Sequence, residues 1–185
     1  MTARGTSPPP GTAVGRRLRE LREARGWSLS ELARLAGVGK ATLSGLENGT
    51  RDPRLETLYA VAGALGVPMS ALTLDRGAPP STASAVRGEA VLSTLLEVFE
   101  EPAATYELFA LRIVAGVEQV SPAHSAGVTE HLTVFRGRAV VGPVGAPLVA
   151  GPGEHVSWVA DTPHLYAAEG DEQVHASLLI RTPRA

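Results

Sequence analysis

The stretch SLSELARLAGVGKATLSGLENG, residues 28–49, decides the fold of the first half of this chain. Ser28 and Glu31 have the spacing of a capping box, in which the serine caps a helix and the glutamate reaches back. A short apolar-faced helix follows, and Gly37 ends it. A second short helix then runs up to Gly49. Two short helices separated by a tight glycine turn predict a helix-turn-helix.

Helical periodicity continues on both sides of this stretch. Upstream, Val14, Leu18 and Leu21 repeat at intervals of four and three residues, which places them on one helix face. Downstream, Pro53 starts another helical pattern, and a last turn lies near residues 69–72. Five helices are therefore predicted. The apolar positions of the fourth are Leu55, Leu58, Ala62 and Leu65.

The pattern changes after residues 75–88, DRGAPPSTASAVRG, which are small and polar with two prolines and predict a linker. Beyond it, runs such as residues 104–116 and 131–142 alternate in polarity and are separated by Gly and Pro. This pattern predicts an all-β sandwich or barrel. The predicted division is a disordered arm at 1–12, a helical domain at 13–74, a linker at 75–88 and a β domain at 89–185.

The whole chain has 185 residues, of which 44% are hydrophobic, and it contains no cysteine. The composition suits a packed core and excludes disulfides and thiolate metal sites, so we expect a cytoplasmic protein. The N-terminal sequence MTARGTSPPPG lacks the apolar run of a signal peptide. No stretch approaches the ~20 apolar residues of a membrane helix, so no membrane partner is expected.

The net charge of −2 is unevenly distributed along the chain. Residues 1–76 contain 11 Lys and Arg against 7 Asp and Glu, whereas residues 77–185 contain 6 against 12. A basic first half beside an acidic second half suggests two modules with different partners, although drift in composition would give the same numbers.

The first half resembles the helix-turn-helix of the lambdoid phage repressor and Xre family over residues 13–74. The resemblance rests on ELA at 31–33, Gly37, and LENG at 46–49 followed by Pro53. It implies a five-helix, lambda-repressor-like domain that binds double-stranded DNA. Because members of this family usually pair to read two half-sites, it also implies a homodimer.

The second helix of the pair is expected to lie in the major groove, with Leu43 and Leu46 facing inward. Lys40 can contact a phosphate or a guanine edge, or it can be a solvated cation without a role in binding. Ala41 can contact a thymine methyl group. The predicted DNA-binding residues are Ser28, Ser30, Gly39, Lys40, Ala41, Thr42, Ser44, Asn48 and Arg51.

Three positions depart from the family pattern. Leu29 stands where the family often has a phosphate-binding glutamine, and Ala41 and Gly45 stand where phage repressors often carry long polar side chains. Direct base reading by this helix therefore looks limited. The resemblance further implies that Glu47 pairs with Arg22 instead of contacting DNA.

The second half, over residues 91–182, resembles a cupin, a small jelly-roll β-barrel. The first cupin motif is matched by His124, Glu130 and Gly137, but Ala126 stands at its second histidine position. The second motif is matched by GPGEHVSWVADTPH, residues 151–164. The predicted fold class is therefore α plus all-β, a helix-turn-helix domain joined to a cupin β-barrel.

The cupin resemblance implies three of the four usual metal ligands, His124, Glu130 and His164. Strand alternation is expected to place positions 124 and 126 on one barrel face, and Glu130 and His164 to converge from neighbouring strands. Two histidines and a carboxylate can bind Fe(II) or a similar divalent ion. Alternatively, the three residues bond an organic ligand or one another. His131 and His155 are expected to face away from the site.

Apolar residues near these ligands predict a small-molecule pocket inside the barrel, although the tryptophan among them can equally fill it. The favoured function is a transcriptional regulator, a repressor by family habit and not an enzyme, whose cupin domain binds an effector. The alternatives are a metal-dependent cupin enzyme with a DNA-targeting domain and an antitoxin-like interaction protein. The predicted effector pocket comprises His124, Glu130, Leu132, Val134, Trp158 and His164, with Val156 beside it.

Overall fold

The computed structural model describes the backbone of residues 10–73 and 85–184. Most of the predicted arm and of the predicted linker lies outside the described residues. The last three arm residues belong to the first helix, and Ala85–Arg87 of the predicted linker form a β-strand.

The first half folds into the five predicted helices. Ser28 caps the second helix, because its hydroxyl accepts a hydrogen bond from the backbone N–H of Glu31 at 3.1 Å. Gly37 ends that helix with a φ of 64°, a conformation that glycine adopts at little cost. The helices are α1 Pro10–Ala24, α2 Leu29–Ala36, α3 Lys40–Glu47, α4 Leu55–Leu65 and α5 Ser70–Thr73.

Helix α3 packs closely against α1. A Cβ atom added at Gly15 would lie 2.0 Å from the carbonyl oxygen of Leu46, so only glycine permits this approach. Leu18 of α1 and Leu43 of α3 are almost completely buried in the same core. The position of α3 on the surface is therefore fixed by backbone contact as well as by apolar packing.

A buried ion pair also joins α1 to α3. The guanidinium of Arg22 donates to both carboxylate oxygens of Glu47, at 2.7 and 2.9 Å, which confirms the predicted pairing. Arg19 donates to the same carboxylate at 3.0 Å. Burial by itself raises the pKa of Glu47, but the hydrogen bonds from both arginines outweigh it and leave that pKa below its ordinary value.

The second half is a sandwich of two antiparallel sheets in a jelly-roll arrangement, as predicted. The six-stranded sheet has the order β1-β2-β3-β10-β5-β8, and the four-stranded sheet has the order β4-β9-β6-β7. The strands are β1 Ala85–Arg87, β2 Val91–Glu100, β3 Ala104–Ile113, β4 Gln119–Ser121, β5 Thr129–Arg136, β6 Ala139–Pro143, β7 Leu148–Ala150, β8 His155–Val159, β9 His164–Ala168 and β10 Val174–Pro183.

The helical half and the sandwich share one continuous apolar core. Among the described residues, three hydrogen bonds cross between them. The N–H of Ser70 donates to the carboxylate of Glu107 at 2.5 Å, and the Ser125 hydroxyl donates to the carbonyl of Gly63 at 3.3 Å. The third joins the N–H of Glu89 to the Glu56 carboxylate at 2.9 Å. The domains are therefore packed together in addition to being joined by the chain.

No helix in the described ranges has both the length and the apolar character needed to cross a membrane.

Replacing Glu47 by glutamine should destabilise the helical half. The change removes the charge that compensates a nearly buried Arg22, and such unpaired buried charges cost about 3 kcal/mol. Urea denaturation at neutral pH measures the loss. The control is Glu20→Gln, which breaks an exposed Arg17–Glu20 pair and should cost under about 0.5 kcal/mol. Equal costs for the two variants would contradict the structural role of the buried pair.

Candidate functional site

The outward face of α3 forms the candidate DNA-binding surface. Leu43 and Leu46 point into the core, with exposed fractions of 0% and 2%, as predicted. Lys40 and Ala41 at the start of the helix are exposed, and Ser44 one turn later is half-buried. The first turn of α3, which enters the groove in helix-turn-helix proteins, therefore carries the accessible side chains.

The polar side chains at the end of α3 are held by one another. Arg19 donates to the Asn48 side-chain oxygen at 2.9 Å, and the Asn48 amide donates to the Ser44 hydroxyl at 3.4 Å. Arg51 donates to the Thr42 hydroxyl at 3.4 Å. These bonds orient the predicted DNA-binding residues before any DNA is present, which lowers the entropy lost on binding.

Gly45 gives Arg51 its position across α3. A Cβ added at Gly45 would lie 2.9 Å from the Cγ and Cδ atoms of Arg51. The glycine therefore makes room for the arginine side chain, whose guanidinium reaches Thr42 on the outward face. The sequence pattern alone showed Gly45 only as a missing polar reader.

In the sandwich, His124, Glu130 and His164 converge, and we call them the triad. His124 Nε2 lies 2.8 Å and His164 Nε2 lies 3.4 Å from the same Glu130 oxygen, Oε1. Their candidate ligand atoms all lie within 4.8 Å of one another. The other Glu130 oxygen accepts a hydrogen bond from the hydroxyl of Tyr166, and His164 Nδ1 lies 2.9 Å from the Thr162 carbonyl.

Two details of the expected triad geometry are wrong. Positions 124 and 126 do not share a strand face, because both lie in the loop between β4 and β5, where Ala126 is exposed. Glu130 on β5 and His164 on β9 belong to opposite sheets, so they meet across the sandwich and not along one sheet.

His131 and His155 face outward, as predicted. His131, on β5, and His155, on β8, stack with ring centroids 5.8 Å apart on the outer surface of the six-stranded sheet. Because side chains alternate along a strand, His131 cannot approach the triad that its neighbour Glu130 joins.

The charges within the triad support one another. Burial alone would raise the pKa of Glu130, but the hydrogen bond with His124 and the nearby His164 imidazole leave that pKa far below its ordinary value. Burial alone would lower the pKa of His164, but Glu130 raises it above the ordinary value. Burial and then the Glu130 charge raise the pKa of Tyr166, so its hydroxyl stays protonated and donates.

The donor set fits a divalent metal. His164 Nε2 is buried and has no hydrogen-bond partner among the described residues, because its approach to Glu130 lacks hydrogen-bond geometry. An unsatisfied buried nitrogen is costly unless something binds it. Two imidazoles and a carboxylate within reach of one point are ligands that Fe(II) and similar ions accept.

The apolar residues of the predicted effector pocket do not line an open cavity. Leu132 and Val134 are fully buried and Trp158 is 6% exposed, because the two sheets pack directly on these side chains. A small cleft lies instead between the sandwich and the helical half. Of the predicted pocket residues, His124 lines it. Its other lining residues include Tyr59, Gly63, Met69, Glu107 and Ser125.

Two tyrosines at this site were missed by sequence reasoning. Tyr166 follows His164 by two residues on β9, so strand alternation was a usable signal for it. Tyr59 lies on α4, and its ring meets the His124 ring edge-on with centroids 4.7 Å apart. No spacing in the sequence connects Tyr59 with a histidine 65 residues further along the chain.

Comparisons with known proteins agree with this architecture. The helix-turn-helix family model HTH_3 matches residues 18–72. The chain is 34% identical to the HTH-type transcriptional regulator SutR of Escherichia coli (strain K12) over 169 residues, which cover 91% of this chain and 94% of SutR. The crystal structure of an HTH_3 family transcriptional regulator from Vibrio cholerae is similar at 27% identity, with a TM-score of 0.81, covering 95% of this chain and 98% of that chain.

A second solved structure is similar to the sandwich alone. It is the Cupin_2 domain of an XRE family transcriptional regulator from Enterobacter cloacae, which is 28% identical with a TM-score of 0.47 and covers 52% of this chain and 100% of that domain.

His164 in the triad and His131 on the outer face should affect stability in opposite directions as the pH changes. The raised pKa of His164 adds stability that is complete below its ordinary value of 6.5 and is lost as the pH rises through the folded-state pKa. In chelator-treated protein, His164→Gln should therefore cost most at acid pH and less at alkaline pH. Urea denaturation across a pH series measures this trend.

The control is His131→Gln on the outer face. Burial, then His155 and Arg181, lower the pKa of His131, so this residue reduces stability as the pH falls below 6.5. His131→Gln should therefore gain stability relative to the wild type at acid pH. Parallel pH trends for the two variants would contradict the assigned triad electrostatics.

Proposed function

This chain belongs to the family of HTH-type transcriptional regulators, and from that premise we propose that it is a cytoplasmic, homodimeric repressor whose sandwich binds a small-molecule effector. The observation that supports DNA binding best is the outward face of α3, where exposed Lys40 and Ala41 stand at the start of a helix fixed by Gly15 and the Arg22–Glu47 pair.

We assign the DNA contacts as follows. Lys40 and Arg51 supply the charge for phosphates, and Lys40 can also reach a guanine edge. Ala41 would contact a thymine methyl group, and Thr42, Ser44 and Asn48 would offer short polar groups to the bases. The starts of α2 and α3 present Ser28, Ser30 and Gly39 to the phosphate backbone, since helix N-termini attract anions.

Homodimerisation would give this surface its specificity. One recognition helix with mostly short side chains reads few base pairs, whereas two copies must also match the spacing of two half-sites. An effector that prefers one arrangement of the two helical domains would then change the affinity for the operator.

We further propose that the triad holds a divalent metal. His124, Glu130 and His164 would be its protein ligands, and the metal would supply a Lewis acid that holds an effector by its oxygen or nitrogen atoms.

The same donor set is the observation that favours a second candidate, a metal-dependent enzyme. However, Glu130 and His164 are fully buried, and the described cleft meets the triad at His124. A substrate and an effector would meet the same restricted access, so it is the similarity to a transcriptional regulator that favours a sensing role over turnover.

Lys40→Ala should weaken operator binding about uniformly across related sequences, because it removes a positive charge that displaces counterions from DNA. The slope of log affinity against log salt should fall by about 1 if the contact is to a phosphate. Fluorescence anisotropy across a salt series, with an operator selected from random DNA, measures both. Unchanged affinity and slope would rule out the role assigned to Lys40.

Untagged full-length protein should contain about one divalent metal per chain, and His164→Ala should lose it, because two ligands hold such ions much more weakly than three. Elemental analysis of both proteins measures the metal, and a tag must be absent because it brings its own histidines. His155→Ala, on the outer face, is the control and should keep the metal. Metal-free protein in every case would contradict the metal proposal and leave the triad to organic ligands.

A further inference from the structure

Tyr59 connects the helical half with the triad. It lies on α4, is 4% exposed, and packs edge-on against the His124 ring with an interplanar angle of 77°. His124 in turn bonds Glu130 through Nε2. The contact therefore joins a core residue of the DNA-binding domain directly to one of the three groups that can hold a ligand.

Neighbouring contacts hold α4 and the following segment in place around Tyr59. Ser125, next to His124, donates to the carbonyl of Gly63 one turn beyond Tyr59. Further along the chain, at the start of α5, the N–H of Ser70 donates to the buried Glu107 carboxylate. These contacts hold the end of α4 and the start of α5 against the sandwich, and the bond from the N–H of Glu89 to the Glu56 carboxylate holds the first turn of α4.

The packing leaves the His124 ring little freedom that is independent of α4. One side of the ring is set by Glu130, and another is set by the Tyr59 ring. Because the two rings are in direct contact, a rotation of His124 toward Tyr59 must displace the Tyr59 ring, and a rotation away from it must open a gap between them. Interfaces of this kind change between discrete arrangements, so a small shift at one side can move a whole helix.

We propose that Tyr59 transmits the state of the triad to the DNA-binding domain, so that a change in how Glu130 holds His124 alters the position of α4 and thereby the affinity for DNA. This inference rests on the proposed function and names the contact by which the triad would affect the DNA-binding domain. Ligand binding at the triad would bias the helical domain through a direct side-chain contact, and the linker would need only to tether the two halves.

A double-mutant cycle tests this route without knowledge of the natural ligand. Glu130→Gln removes the charge that orients His124, while a glutamine keeps nearly the same volume. In the wild-type background, this change should alter affinity for the selected operator about fivefold or more, in the range of ordinary allosteric couplings. In a Tyr59→Leu background, the same change should have less than about a twofold effect.

Matched controls separate the route from general damage to the fold. His131→Gln alters the residue next to Glu130 on the outer face and should leave operator affinity unchanged. Tyr106→Leu alters a half-buried tyrosine of β3, and in that background Glu130→Gln should keep its full effect. Tyr59→Phe keeps the aromatic ring and should preserve the coupling. Equal effects of Glu130→Gln in the wild-type and Tyr59→Leu backgrounds would overturn the inference, as would no effect in the wild-type background.

Hydrogen exchange of the full chain provides a second test if Tyr59→Leu does not fold. Glu130→Gln should speed amide exchange in α4, Leu55–Leu65, whereas His131→Gln should not. Unchanged α4 protection would overturn the inference. Failure of the proposed function would look different, because the wild-type chain would then select no DNA sequence.

Discussion

The buried charge of Glu130 is the constraint on which the site depends. A carboxylate with no exposed surface is costly unless its oxygens are bonded, and here three groups from two parts of the sandwich approach it. Tyr166 and His164 come from β9 in the opposite sheet, and His124 comes from the loop before β5. Satisfying one charge thus joins the two sheets and fixes the loop that meets α4.

The helical half contains another buried carboxylate, Glu47, whose partners are of a different chemical kind. Glu47 is surrounded by the guanidinium groups of Arg22 and Arg19, which are always charged and have no tendency to bind metals. Glu130 is surrounded by two imidazoles, which are good metal ligands. The first carboxylate therefore serves to hold α3 on its support, whereas the second can respond to its surroundings.

Sequence reasoning found the parts of the site that local rules govern. The cap at Ser28 follows from the spacing of a capping box. The inward leucines of α3 and the outward direction of His131 follow from helix and strand periodicity. The expected alternation of positions 124 and 126 was wrong because those residues lie in a loop, where no period applies. The sequence left open whether Trp158 lines a pocket or fills the barrel, since the residue pattern does not reveal how closely two sheets approach, and the structure places it in packed core.

The sequence by itself determined the order of the elements, the two fold types, the Arg22–Glu47 pair and the three triad residues, because spacing and family resemblance mark each of them. Only the tertiary structure decided that the two halves share a core and that Tyr59 of α4 lies against His124. The physical reason is distance along the chain. Packing between domains depends on complementary shape and burial of side chains that have no local pattern in common, so it exists only once both domains have folded.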